Sequence, residues 1–199
     1  QEAVDLQKKI QTRNILTRRD QPLYRAVELM AEAQYGSHPF HKPLMGYPET
    51  VEKLTRDDLS SSYSAFYIPN NMIVVAVGNF DEKRLIEEIS RELGSMPAGH
   101  IPEPVQGGLP AHSAPVEKTE SRETAANWLT LGWFAPSITD PDAYPMEVLD
   151  AVTGGSMNSR LFVAIREKRG LAYQVSSFLN ARKTTGIYAA YLGTKPDTY

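Results

Sequence analysis

Apolar residues recur at helical intervals in two runs near the start of the chain, Leu6, Ile10 and Ile15 and then Leu23, Val27 and Met30, which predicts two helices meeting near residue 20. Pro22 suits the first turn of the second helix, with Asp20 as its cap. The proline-rich stretch SHPFHKPLMGYPE reads as an extended loop. Thr55, with Asp58 three residues on, reads as a capping-box variant opening a helix over TRDDLSSSYSAFY, which Pro69 ends. MIVVAVG is an unbroken apolar run, the pattern of a strand buried on both faces. Asp81 then caps DEKRLIEEISRELG, whose Leu85, Ile86, Ile89 and Leu93 form one stripe before Gly94.

The character changes at residue 97. Pro97, Pro102, Pro104, Pro110 and Pro115, interleaved with Gly99, Gly107 and Gly108, leave no apolar periodicity, so residues 97–124 read as a linker. Beyond it NWLTLGWFA reads as a strand. DPDAYPMEVLDAVTGG reads as a helix with Tyr144, Val148 and Val152 facing a core, and SRLFVAIREKRG as a second helix stopped at Gly170. LAYQVSSFL and TGIYAAYLG read as two strands of a hairpin joined by NARKT. Helices and strands alternate on both sides of the linker, which predicts an α+β fold, a mixed or antiparallel sheet layered with helices.

Composition narrows the function classes. With 21 Lys and Arg against 24 Asp and Glu the net charge is −3, which offers no footprint for nucleic acid or an anionic membrane. No apolar run is long enough to span a bilayer. The absence of cysteine excludes disulfides, thiolate zinc sites and cysteine nucleophiles, but leaves cytoplasmic and periplasmic settings both allowed. The start, QEAVDLQKKIQTR, is neither a signal peptide nor a methionine start, so the chain is expected to be a piece of a longer one.

Candidate chemistry is sparse. His38 and His41 form an HPFH cluster that would need a distant third ligand, His100 and His112 are isolated, and the chain contains neither HxxEH nor HExxH. GGSMNS lacks both a nucleophile-elbow pattern and the lysine of a phosphate loop. The run REKRG reads as a solvated helix end with cations near the negative pole of the dipole. Arg166 stands apart from that run. It falls one turn before Gly170, and Tyr173 enters the next strand, so a reversal at the glycine brings a guanidinium and a phenol to one edge. Such a pair is a donor set suited to peptide carbonyls.

Three blocks, HPFHKPLMGYPETVEKLTRDDL, YIPNNMIVVAVGNFD and SRLFVAIREKRGLAY, resemble the insulinase/pitrilysin zinc peptidases, a family that includes the mitochondrial processing peptidases, in the order that family uses. The resemblance implies that residues 1–96 are the back half of a first α/β domain and 125–199 the front half of a second, which binds no zinc. It implies that Arg166 and Tyr173 are the second domain's substrate-binding arginine and tyrosine, gripping a peptide or protein substrate. It places zinc in the parent chain or a partner subunit, with no catalytic or metal-binding residue in this chain, and implies pairing as a homo- or heterodimer with a family paralogue.

The resemblance also places the family's distal zinc glutamate near Asn14, counting back from RRDQP, where the neighbours are Arg13 and Ile15. An amide is a poor zinc ligand. Two expectations arise for the parent: a zinc endopeptidase to which this chain lends substrate-binding surface, or a non-catalytic subunit that keeps the arginine and tyrosine while a paralogue holds the metal. Neither gives this chain activity alone.

Overall fold

A computed structural model of the chain describes residues 1–103 and 107–196. Pro104 and its neighbours at 105 and 106 in the expected linker, and residues 197–199, lie outside the described residues. Contacts divide the chain into two units, one of Gln1–Gln11 with Pro48–Gln106 and the other of Thr12–Tyr47 with Gly107–Tyr199. Residues 12–47, assigned by the sequence to the stretch 1–96, thus group with the C-terminal half.

Helix α1 (Glu2–Arg19) begins in the first unit and continues into the second. The first unit also holds α3 (Pro48–Lys53), α4 (Arg56–Phe66) and α5 (Glu82–Leu93). The capping box forms: Thr55 Oγ1 accepts from the Asp58 amide at 3.1 Å, and Asp58 Oδ2 accepts from the Thr55 amide at 2.8 Å. Asp81 caps α5, accepting from the Arg84 amide at 3.1 Å. Helix α3 begins inside the expected loop, since Pro48 and Glu49 are the last residues of SHPFHKPLMGYPE, and proline suits the first turn.

MIVVAVG does not form the expected strand. Ile73, Val75 and Val77 are 92%, 78% and 94% exposed, and no ladder pairs this run among the described residues. A strand is defined by a partner, and the apolar pattern specifies burial without supplying what buries it.

In the second unit, β1 (Asn127–Ala135), β2 (Gln174–Ala181) and β3 (Gly186–Thr194) form an antiparallel sheet in the order β1-β3-β2. β2 and β3 are the expected hairpin, closed by the Arg182 amide donating to the Thr185 carbonyl at 2.8 Å. The register sets Trp128 and Gln174 on either side of Gly193, so Trp128, Thr130, Gly132 and Phe134 share a face with Ile187, Ala189 and Tyr191.

Helix α2 (Pro22–Tyr35) packs on β1, and Met30, Tyr35, Ile187 and Ala189 form a core against Val27, Phe40, Phe134 and Phe178. Asp20 does not cap α2. Its amide donates to the Leu16 carbonyl and so belongs to the last turn of α1, while Gln21 takes the cap position without a side-chain bond.

Helix α6 (Ala143–Thr153) meets β2 through polar groups: Ser177 Oγ donates to Asp150 Oδ1, and Ser176 Oγ donates to the Gly154 carbonyl at 2.8 Å. These bonds set the rotation of the helix. Tyr144, Val148 and Val152 consequently point away from the core, Tyr144 being 77% and Val148 65% exposed, contrary to the inward stripe read from the sequence.

The described part of the linker in this unit has no regular structure, yet it is tied to α2. Arg25 of α2 donates to Glu120 at 2.8 Å and also pairs with Glu28 and Glu32, and Lys118 Nζ reaches Glu32 at 3.0 Å. Burial works against the Arg25 charge, and the bonds to Glu120, Glu32 and Glu28 outweigh it, so the proton is held more tightly than usual. Burial likewise pushes Glu32 up, but Lys118 and Arg25 pull it further down. Glu120 is lowered chiefly by its hydrogen bond from Arg25.

Carboxylates depressed in the folded state add stability above their ordinary value of 4.5 and lose it as pH falls through the folded value. Arg25→Met is expected to lower unfolding free energy at pH 7 by about 1–2 kcal/mol and to flatten the loss of stability between pH 5 and about 3. Thermal melts of both proteins across that range measure it, and parallel curves would show that the network carries no pH-dependent stability.

Candidate functional site

Arg160 and Leu161 open a helical segment that widens into a π-helix over Phe162–Glu167. The Lys168 amide donates five residues back to the Val163 carbonyl at 3.0 Å. This widened turn, where the sequence predicts an ordinary helix, places the Arg166 guanidinium 5.0 Å from the Phe162 ring centroid, so that the cation leans on the aromatic face.

The chain then reverses. Gly170 has φ of 62°, a left-handed conformation unfavourable to any residue with a Cβ, and its amide donates to the Arg166 carbonyl at 3.1 Å. The Leu171 amide donates to the Ile165 carbonyl at 3.1 Å, and the Leu171 carbonyl accepts from Thr194 Oγ1 at 2.6 Å. The segment between the two candidate residues is therefore bonded to the π-helix at one end and to β3 at the other.

Tyr173 immediately precedes β2, and its amide donates to the Gly193 carbonyl at 3.1 Å. Its ring meets Trp128 of β1 edge-on, with centroids 5.8 Å apart and planes at 88°. Arg166 is exposed and Tyr173 is 48% exposed. Chemically, the fork can hold a carbonyl oxygen by two parallel N–H bonds, and the phenol can donate a third bond or accept one.

The remaining candidates have structural explanations. His38 is buried among Tyr35 and Phe40, and its Nδ1 accepts from the Phe40 amide at 3.2 Å. His41 Nδ1 lies 2.7 Å from the His38 carbonyl, and His112 Nε2 lies 2.7 Å from the Gln34 carbonyl. In GGSMNS, Gly154 is pressed against Ser177, where a Cβ would come within 2.3 Å of the Ser177 amide nitrogen, and Ser159 is buried at the start of the next helical segment. Among the described residues no three His, Asp or Glu side chains converge as metal ligands.

Asn14 is exposed on α1. It lines an open cleft of about 250 Å³ with Thr17, Arg18, Gln21, Tyr24 and Met45, in which the Arg18 guanidinium lies 4.3 Å from the Tyr24 ring centroid. A neutral amide with a cation nearby has neither the charge nor the donor set for zinc. Sequence reasoning missed Trp128 and Gly193, the residues against which Tyr173 rests. Nothing in the sequence gives the β1–β3 register that brings them together.

Comparison with known proteins identifies the family and the fold. A family model described as the peptidase M16 inactive domain matches residues 53–199. An uncharacterized zinc protease of Streptomyces coelicolor is 30% identical over 98% of this chain and 44% of its own length, and one of Mycobacterium tuberculosis is 29% identical over 98% and 45%. The chain thus spans about half the length of the curated relatives it matches. Among solved structures, a peptidase M16 inactive domain from Pseudomonas fluorescens superposes with a TM-score of 0.80 at 19% identity, covering 98% of this chain and 47% of that one. A protease from Helicobacter pylori superposes at 0.82 and 18% identity, covering 99% and 48%. At such identities these structures share the fold.

Because no atom lies within 4 Å of a Cβ built on Gly170, Gly170→Ala is expected to cost only its backbone strain, about 1 kcal/mol. Urea unfolding measures it. A neutral or stabilising effect would show that the reversal does not need the left-handed conformation.

Proposed function

The chain belongs to the M16 peptidase family, and from that membership we propose that it supplies peptide-binding surface to a zinc endopeptidase through Arg166 and Tyr173. One observation carries the reading: these two polar side chains, the pair matched by SRLFVAIREKRGLAY, are both exposed and flank a reversal bonded at each end. The Arg166 fork donates to a backbone carbonyl of an extended substrate and holds it in register. The Tyr173 hydroxyl donates to an oxygen that gains negative charge as the scissile carbonyl becomes tetrahedral, a bond that strengthens along the reaction. Preformed donors of this kind cost little reorganisation when the charge appears.

The metal implied by the relatives' names as zinc proteases does not fit the residues at Asn14, a neutral amide beside Arg18. That observation favours a second reading of the same pair. In it the parent is a non-catalytic subunit, and a zinc-bearing paralogue provides the metal and its activated water. Both readings assign Arg166 and Tyr173 the same contact with substrate and differ in which polypeptide bears the metal.

In the assembled peptidase, Arg166→Ala and Tyr173→Phe are each expected to lower kcat/KM by about 1–3 kcal/mol, roughly 5- to 150-fold, without changing the melting midpoint. Turnover of fluorogenic casein by the purified variants tests this. Wild-type kcat/KM for both would remove the pair from the site.

A further inference from the structure

We propose that Trp128 and Gly193 are positioning residues for Tyr173, fixing the height and angle of its hydroxyl above the end of the sheet. The proposal rests on the reading of Tyr173 as a substrate contact.

The sheet register supplies the geometry. Gly193 stands on the central strand β3 between Trp128 of β1 and Gln174 of β2. Tyr173, one residue before β2, is tied to Gly193 through its backbone amide at 3.1 Å, and its ring crosses the space a side chain at 193 would occupy. A Cβ built on Gly193 would lie 2.8 Å from the Tyr173 hydroxyl, 2.9 Å from the ring carbon bearing it, and 3.1 Å from Trp128 Cη2. The phenol end therefore rests on bare backbone, with the indole as the wall beyond it. Edge-to-face packing against Trp128, at 5.8 Å and 88°, fixes the tilt of the ring.

All three atoms nearest that Cβ are far ends of side chains. An added methyl therefore displaces the rings and leaves the backbone pairing in place. Gly193 has no positive φ to protect, so a merely structural role predicts that Gly193→Ala loses some stability to the displaced rings while turnover stays normal. A positioning role predicts in addition that kcat falls, because the phenol is displaced.

The test uses the assembled peptidase with casein as substrate, together with fluorine NMR of this chain carrying 3-fluorotyrosine, its Tyr173 signal assigned by loss in Tyr173→Phe. Gly193→Ala is expected to shift that signal and to lower kcat by about the same factor as Tyr173→Phe, with little change in KM. Added to Tyr173→Phe, it should cause no further loss, because both changes remove one contact. Trp128→Leu should lower kcat several-fold, and Trp128→Phe, which keeps a ring edge-on, should recover most of it.

If Tyr173→Phe is slow while Gly193→Ala and Trp128→Leu turn over normally, the positioning role fails and the substrate reading stands. If Tyr173→Phe itself turns over normally, the substrate reading fails and takes this proposal with it. Additive losses in the double variant would also overturn it. Should Gly193→Ala not fold, the contrast between Trp128→Leu and Trp128→Phe decides.

Discussion

The site depends on the register of two antiparallel pairings. β3 is the central strand, and its residue 193 is opposite Trp128 on one side and Gln174 on the other. A slip of one residue in the β2–β3 pairing would bring Leu192 or Thr194 to Tyr173 in place of Gly193, and one in the β1–β3 pairing would turn Trp128 to the other face. Register here is held by the short hairpin at Arg182–Thr185 and by α2 packed on β1 through Met30 and its neighbours.

Arg166 and Tyr173 are mounted differently, and the difference suits the role proposed for each. The arginine sits on a widened helical turn and leans on Phe162, with a long flexible stem. The tyrosine is held by backbone and by two residues of the sheet. A planar fork on a mobile stem adapts to the carbonyl of an incoming peptide, whereas a phenol that answers charge developing at one atom gains from a fixed height. Gly170 separates the two mountings and lets each keep its own support.

Several elements expose apolar surface while others are tightly bonded. Ile73, Val75 and Val77 in the first unit, and Tyr144 and Val148 on α6 in the second, are open, whereas Arg25 and its carboxylates bind the linker segment to α2. Ionic ties tolerate water around them, so residues 107–124 can be anchored without a core of their own. Apolar runs gain nothing until something covers them.

The sequence by itself determined the elements whose signals are local. The two N-terminal helices, the capping box at Thr55, the cap at Asp81 and the β2–β3 hairpin all depend on neighbours within a few residues, and the order of three motif blocks was enough to bring out Arg166 and Tyr173 as a candidate pair. Tertiary structure decided what depends on partners distant in the chain. It left MIVVAVG without a ladder, turned the stripe of α6 outward because Asp150 and Gly154 bond to β2, and set Trp128 and Gly193 around the phenol from strands about 65 residues apart in sequence. The reason is physical: hydrophobic pattern specifies that a face will be covered, and only the packed partner specifies by what and at which angle.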